Sequence, residues 1–374
     1  MLDPGLFHKA LLKRDIDFFA GVPDSLLKNF CAYIDDQGTP GKHIITANEG
    51  NAVALATGYH LATGKTGAVY MQNSGLGNCI NPLTSLTDQD VYNIPLLLII
   101  GWRGEPGIKD EPQHIKQGRI TTAQLDLLEI PYQILDAQSN LEEALNNLMT
   151  AENMCKGPVA LLIRKKTFSE YKRSKKCLYD YTLKREEALR SILSQAGTDD
   201  LIVSTTGKTS RELFELRKER FEKQCDFLTV GSMGHASSIA LGVAMGRPHR
   251  NVLCIDGDGA FIMHMGSLPI IGSLKPENFV HILLNNSAHE SVGGQETVAG
   301  TIDISKIVKA CGYKKYFQAG SSSEVEECWK EIKKIKGPVF LEIKVCVGSR
   351  EDLGRPDSTP VQNKKSFMEF CSVC

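Results

Sequence analysis

A chain of 374 residues is long for one compact core and predicts two domains. Its composition, 42% hydrophobic and 23% charged, is that of an ordinary globular protein. A net charge of -1 excludes whole-molecule attraction to nucleic acid or to an anionic membrane, so any anionic ligand must be met by individually placed Lys and Arg.

Residues 1–19 carry charge from Asp3 onward and give no expectation of a signal peptide. A strand is expected at 16–20, a helix at 24–36, a strand at 43–46 and an Ala-rich helix at 50–62. Strands follow at 67–71, 95–100 and 158–163, with helices at 120–128 and 139–153. The apolar run 95–100 is far too short to span a bilayer and reads as a buried strand. Residues 165–186 are highly charged and read as a solvated connector. Alternation then resumes, with strands at 201–205, 227–230, 251–255, 279–284 and 338–344 and helices at 209–219, 235–245, 303–311 and 322–335. From Gly348 the chain reads as an irregular tail ending in a short helix.

Short apolar strands separated by helices predict parallel sheets covered on both faces. The expected fold class is therefore α/β, two doubly wound domains at 1–168 and 185–374 joined by a connector at 169–184. Eleven cysteines without framework spacing suit reduced thiols in a cytoplasmic protein. Cys371 and Cys374 form a terminal C-x-x-C with no second pair for zinc and no following helix to lower a thiol pKa.

Strand 251–255 runs into Gly257-Asp258-Gly259-Ala260, and strand 279–284 runs into Asn285-Asn286. Both loops lie at carboxyl ends of parallel strands, where open sheets bind ligands. Glycines beside Asp258 let backbone amides approach a phosphate, and Asp258 with Asn286 offers hard oxygen ligands for Mg²⁺. In the first half, strand 43–46 leads into Glu49-Gly50-Asn51-Ala52 and a small-residue helix. Gly231-Ser232-Met233-Gly234 enters the helix at 235–245. Two other glycine patterns fail as nucleotide sites. Gly207-Lys208-Thr209 lacks the earlier P-loop glycine, since position 202 is Ile, and Gly75-Leu76-Gly77 lacks the third glycine of a dinucleotide fingerprint, since position 80 is Ile.

The G-D-G and N-N pair, with residues 260–284 between, closely resembles the motif of the thiamine-diphosphate-dependent enzymes. That resemblance implies that Asp258, Asn286 and the carbonyl of Ala288 hold Mg²⁺, which holds the cofactor diphosphate. It implies that Glu49 activates the cofactor by sharing a proton with its pyrimidine ring, and that Met233 supports the bent cofactor from below. Asn73, Gly207, Lys208, Ser232, Gly257, Gly259 and Ala260 are the further cofactor contacts it suggests.

The absence of a middle domain, together with Gly21-Val22-Pro23-Asp24-Ser25, the stretch 285–295 and Arg350-Glu351-Asp352-Leu353-Gly354-Arg355-Pro356, is similar to the compact phosphonopyruvate and sulfopyruvate decarboxylases. The implied substrate is a small anionic 2-oxo acid. Phosphonopyruvate is favoured because the sulfopyruvate enzymes resemble two separate subunits. Asp24, Asp110, His114 and His289 are then candidates for proton handling. Lys109 and His114, in the polar loop 104–118, and Asp24, Ser25, Arg350 and Arg355 are candidates for meeting the substrate. The same resemblance implies a homo-oligomer, at least a dimer, with active sites shared between chains. Two other readings remain: a thiamine-diphosphate-binding protein without turnover, against which Glu49 argues, and a ferredoxin-linked oxidoreductase, which lacks a cluster-type Cys run.

Overall fold

The computed structural model describes residues 1–38, 41–155, 157–175 and 179–372. The chain divides into two compact units, Met1–Lys176 with Val292–Gln295, and Cys177–Ser291 with Glu296–Cys374. Each unit holds one six-stranded sheet in which every pairing is parallel.

In the first unit, β1 (Phe19–Gly21), β2 (His43–Ile45), β3 (Gly67–Gln72), β4 (Leu96–Gly101), β5 (Tyr132–Leu135) and β6 (Val159–Ile163) lie in the order β2-β1-β3-β4-β6-β5. In the second, β7 (Leu201–Ser204), β8 (Phe227–Leu228), β9 (Val252–Gly257), β10 (Phe279–Asn285), β11 (Lys315–Ala319) and β12 (Val339–Lys344) lie in the order β8-β7-β9-β10-β12-β11. The two windings are the same. In each, the chain reverses direction across the sheet between its first and third strands, and the crevice outside their carboxyl ends is the expected ligand position.

The strands are apolar throughout because both sheet faces are covered. Along β4, Leu97 and Ile99 enter one buried cluster while Leu96, Leu98 and Ile100 enter another on the opposite face. Along β12, Val339, Leu341 and Ile343 face one cluster and Phe340 the other.

Several expectations are corrected. The helix expected at 24–36 spans Lys28–Gln37, because the Asp24 carboxylate accepts the Leu26 N–H at 2.8 Å and holds 24–27 in a turn. The helix expected at 120–128 spans Pro112–Leu127, starting at a proline whose fixed φ suits a first helical position. The loop expected at 104–118 therefore ends at Glu111. Helices Pro4–Leu12 and Leu76–Ser85 and strands β5 and β11 were not anticipated; the two strands are sheet edges, less buried than the central strands, with a diluted apolar signal.

The connector is not simply solvated. Tyr171, Arg173 and Ser174 bond to Asp35 and Asp36 of helix Lys28–Gln37, with Arg173 Nε 2.5 Å from Asp35. Farther on, Arg185 is buried and forms a two-pronged pair with Glu212 at 2.7 Å. Complementary charges far away in sequence cause this, and local composition does not reveal them. Residues 176–178 of the connector and Cys374 lie outside the described residues. Cys371 packs against the apolar cluster beneath helix Pro360–Ser372, and burial pushes its thiol pKa up, away from the reactive thiolate. Among the described residues, no helix is long and apolar enough to cross a membrane.

Candidate active site

In the first unit, the chain leaves β2 and Asn48 caps the helix Glu49–Thr63 by accepting the Asn51 N–H at 3.0 Å. Such a cap contributes about 1 kcal/mol. It fixes Glu49 as the first helical residue at the carboxyl edge of the sheet, where it is only 5% exposed. Asn78 Nδ2 donates to Glu49 Oε2 at 2.7 Å. Gly75 lies flat against the same carboxylate: an ideal Cβ there would stand 2.6 Å from Oε1. The segment Gly75-Leu76-Gly77, which fails as a nucleotide fingerprint, is thus the wall that shapes the Glu49 side chain.

Beyond β1 and β4 a second polar group gathers. Asp24 is buried, its Oδ1 has no protein partner, and its Oδ2 presses on Gly101, where a Cβ would lie 2.2 Å away. Burial raises the Asp24 pKa, against the opposing influence of the Leu26 N–H and the Arg103 charge. Arg103 donates from Nε and Nη2 to the two Asp110 oxygens at 2.8 and 2.5 Å, and from Nη1 to Ser25 Oγ at 2.8 Å. Burial pushes the Asp110 carboxyl up, but bonds from Arg103 and the Gly104 N–H hold it below the usual carboxylate range. His114 lies in the first turn of helix Pro112–Leu127. Burial, with the Arg103 charge, lowers its imidazole pKa to about 4. Lys109 is exposed.

Asn73, expected as a cofactor contact, makes its side-chain bonds within the protein. It is wholly buried. Its Nδ2 donates to the Arg103 carbonyl and to Thr121 Oγ1, both at 2.8 Å, and its Oδ1 accepts the Arg103 N–H at 3.2 Å. The side chain is committed to clamping Arg103 against the helix.

In the second unit, Asp258 opens the short helix Asp258–Met263 after β9. Thr297 Oγ1 donates to its Oδ2 at 2.5 Å. The Ala288 N–H donates to Asn286 Oδ1 at 3.0 Å, and its dipole opposes the rise in the Asp258 pKa. Asn286 Nδ2 is held at 3.0 Å by Glu290, which orients the amide with Oδ1 away from that carboxylate. Asn285 is structural: its Oδ1 accepts the Ser287 N–H and hydroxyl, its Nδ2 donates to Glu342 at 2.7 Å, and Ser287 takes a left-handed φ of 56°. Beneath the loop, Cys254, Asp256 and His281 cluster with ligand atoms within 4.8 Å, and Asp256 Oδ1 holds the Gly257 N–H at 2.9 Å.

The side-chain oxygens of Asp258 and Asn286 are donors of the kind that suits a hard divalent cation such as Mg²⁺. Burial pushes the Asp258 pKa up to about 6 despite its bonds from Thr297 and backbone N–H groups. A nearby cation would reverse that shift. Gly207, with φ 89°, ends the turn after β7 and precedes helix Lys208–Glu219, across the strand reversal from Asp258. Lys208 Nζ pairs with Glu290 at 2.6 Å. A Cβ on Gly259 would lie 3.3 Å from Met233 Cε and 3.1 Å from the His289 ring, so both side chains meet the Asp258 loop beside Gly257 and Ala260. Burial lowers the His289 pKa to about 4. Ser232 is exposed and its hydroxyl is 3.0 Å from His235 Nδ1.

Arg350 departs from expectation. It pairs with Glu186 at 3.1 Å, with Asp352 at 3.2 Å and with Glu215, in a cleft of about 660 Å³ that Arg355 and Phe214 also line. This cleft flanks helix Lys208–Glu219, and its carboxylates already neutralise Arg350. Glu186 and Glu215 come from distant segments, and Asp352 from the tail itself. Arg350→Ala should change kcat/KM by less than about threefold, since a half-exposed ion pair contributes little. A tenfold loss in a steady-state assay would return Arg350 to the substrate.

Sequence reasoning missed Asn78, Arg103, Thr297 and Glu290. Only Arg103 gave any local signal, as a charge two residues beyond an apolar strand.

The C-terminal TPP binding domain of thiamine pyrophosphate enzymes matches residues 206–343, and the N-terminal TPP binding domain matches residues 6–126. A phosphonopyruvate decarboxylase of Streptomyces viridochromogenes is 34% identical over 379 residues, covering 95% of this chain and 91% of the relative. A sulfopyruvate decarboxylase of Methanosarcina acetivorans is 30% identical over 382 residues, covering 96% and 95%. A sulfopyruvate decarboxylase subunit beta of Methanocaldococcus jannaschii is 32% identical over 189 residues, covering 50% of this chain and 96% of its own. Because one sulfopyruvate relative matches along nearly the whole chain, the fusion of two domains does not discriminate between the two substrates.

Proposed function

Since the chain belongs to the thiamine pyrophosphate enzymes, in the group of decarboxylases with phosphonopyruvate and sulfopyruvate decarboxylases, we propose that it decarboxylates phosphonopyruvate to phosphonoacetaldehyde and carbon dioxide, a step in phosphonate biosynthesis. The substrate reading is carried by the 34% identity to the Streptomyces viridochromogenes enzyme over 95% of the chain. Sulfopyruvate is the second reading, favoured by the relative at 30%.

When bound, thiamine diphosphate supplies the electron sink that takes the pair left by departing carbon dioxide. Asp258, Asn286 and the Ala288 carbonyl would hold Mg²⁺. The amides of Gly257, Gly259 and Ala260 and the helix start at Gly207 and Lys208 would receive the diphosphate. Lys208, now paired with Glu290, has a charge to share with that group. Met233 would support the cofactor from the Asp258 loop, with Ser232 beside it. Asn78 engages Glu49 Oε2, so Oε1 is the oxygen that shares a proton with the pyrimidine ring. Asp24 and Ser25 face the substrate, with Lys109 at the rim. His114 and His289 are neutral at physiological pH and can accept or donate hydrogen bonds without adding charge.

Burial favours the protonated Asp24, which makes it the proton donor in this account. The working form is lost as pH rises through its raised pKa, so the rate should fall on the alkaline side. Asp24→Asn should cost about 100-fold in kcat and remove that limb of the pH profile. An unchanged profile in the variant would assign the limb elsewhere.

The reading includes assembly into at least a dimer with active sites shared between chains; a fully active monomer by light scattering at assay dilution would contradict it. A cytoplasmic location is also part of it, supported by the eight free cysteines among the described residues. The substrate test is carbon dioxide release from phosphonopyruvate, sulfopyruvate and pyruvate in parallel, with Mg²⁺ and with or without the cofactor. Cofactor-dependent release fastest from phosphonopyruvate is expected. Preference for sulfopyruvate would overturn the substrate while keeping the chemistry.

A further inference from the structure

We infer that Arg103 forms an anion subsite in the first unit that takes the tetrahedral oxyanion of the substrate, a phosphonate or sulfonate, on the guanidinium edge that Asp110 leaves open. The inference rests on the reading above, that the substrate is a small 2-oxo acid carrying a second acidic group.

A guanidinium has five N–H donors in one plane. Asp110 takes Nε–H and one N–H of Nη2, which is one side of the fork, and Ser25 takes one N–H of Nη1. One N–H on each terminal nitrogen remains. Such a pair matches two oxygens of an oxyanion, which a lysine ammonium does not. The side chain is 20% exposed, so the fork is neither sealed in the core nor loose in solvent.

Its position and rigidity point the same way. Arg103 lies two residues beyond β4, at the carboxyl edge that also carries Glu49 and Asp24. Its backbone is clamped on both sides by Asn73, through the N–H and the carbonyl. Its guanidinium is pinned by three further bonds. Binding an oxyanion there costs little ordering. The competing cations are less suited: Arg350 is spent on three carboxylates, Arg164 pairs with Glu105 at 2.8 Å, and Lys109 is exposed. The bland alternative is that Arg103 only ties down the loop 104–111 through Asp110.

Arg103→Lys separates the two roles, because it keeps a charge for Asp110 and loses the second edge of the fork. With the holoenzyme, kcat and KM are measured for phosphonopyruvate, sulfopyruvate and pyruvate. Phosphonoacetate and sulfoacetate binding are measured by calorimetry. KM for the two doubly acidic substrates should rise roughly 30-fold, the value of one or two charged hydrogen bonds, with kcat within about threefold. Pyruvate, which lacks the second acid, should change by less than about threefold, and affinity for both acetates should fall in parallel with KM. Equal losses for all three substrates, or unchanged KM and unchanged acetate binding, would overturn the subsite. If the wild-type protein decarboxylates none of the three, the functional reading fails, and the acetate titrations still decide the subsite. Should the variant not fold, phenylglyoxal labelling of the wild-type protein read by peptide mass replaces it. Phosphonoacetate should protect Arg103 where acetate does not, and equal labelling with either would overturn the inference.

Discussion

Glu49→Gln should retain the fold and bind cofactor, yet lose about 1,000-fold in kcat. The substitution preserves shape and still offers Asn78 an oxygen, so the bond seen at 2.7 Å survives. Gly75 accommodates an amide as readily as a carboxylate, because the close approach is set by the absence of a Cβ. What disappears is the exchangeable proton. Placed general acids and bases contribute roughly 100- to 10,000-fold, and the middle of that range is expected for a group that acts before any carbon–carbon bond can break. Stability should move by no more than about 1 kcal/mol. Steady-state kinetics at saturating cofactor checks this, and turnover within tenfold of wild type would remove Glu49 from the mechanism.

Asp258→Ala should weaken retention of thiamine diphosphate and Mg²⁺ by at least about 100-fold in equilibrium dialysis, since even outer-shell partners of a metal contribute 10- to 100-fold. The same variant makes a stability prediction of opposite sign. In the metal-free protein, burial has pushed the Asp258 pKa up to about 6 from an ordinary 3.8. A carboxyl with a raised folded-state pKa stabilises fully below its unfolded value and loses that contribution as pH rises through about 6. The ionised group therefore costs on the order of 3 kcal/mol at pH 8, so the metal-free variant should melt no lower than metal-free wild type. With Mg²⁺ and cofactor the order should reverse. Unchanged cofactor affinity would refute Asp258 as a metal ligand.

The sequence exposes those parts of the molecule that depend on local backbone. Two parallel α/β sheets follow from apolar runs such as 95–100 and 251–255, since a strand covered on both faces admits no polar alternation. The Gly257-Asp258-Gly259 and Asn285-Asn286 loops were visible because each sits where an apolar strand stops, and the Asn286 oxygen meets the Ala288 N–H beyond the second of them. Edge strands β5 and β11 escaped notice because polar residues such as Gln133 and Gln318 interrupt their apolar runs.

What was hidden is contact across long stretches of chain. Asn78 reaches Glu49 from 29 positions away, and Thr297 reaches Asp258 from 39. Neither residue type stands out in its own neighbourhood. Arg350 illustrates the reverse: its charge made it a candidate for meeting an anionic substrate, and Glu186 and Glu215 fold against it. Arg103 was overlooked for a similar reason, as its importance lies in being held by Asp110, Ser25 and Asn73 at once. A residue's type announces what it can bind, whereas its partners decide whether that capacity is free.

The account is tested most directly by following phosphonopyruvate by phosphorus NMR in the presence of the protein, Mg²⁺ and thiamine diphosphate. The predicted result is conversion to phosphonoacetaldehyde by the wild-type protein, absent without cofactor and nearly absent with Glu49→Gln. A phosphonopyruvate signal that persists unchanged while the cofactor is demonstrably bound would contradict it.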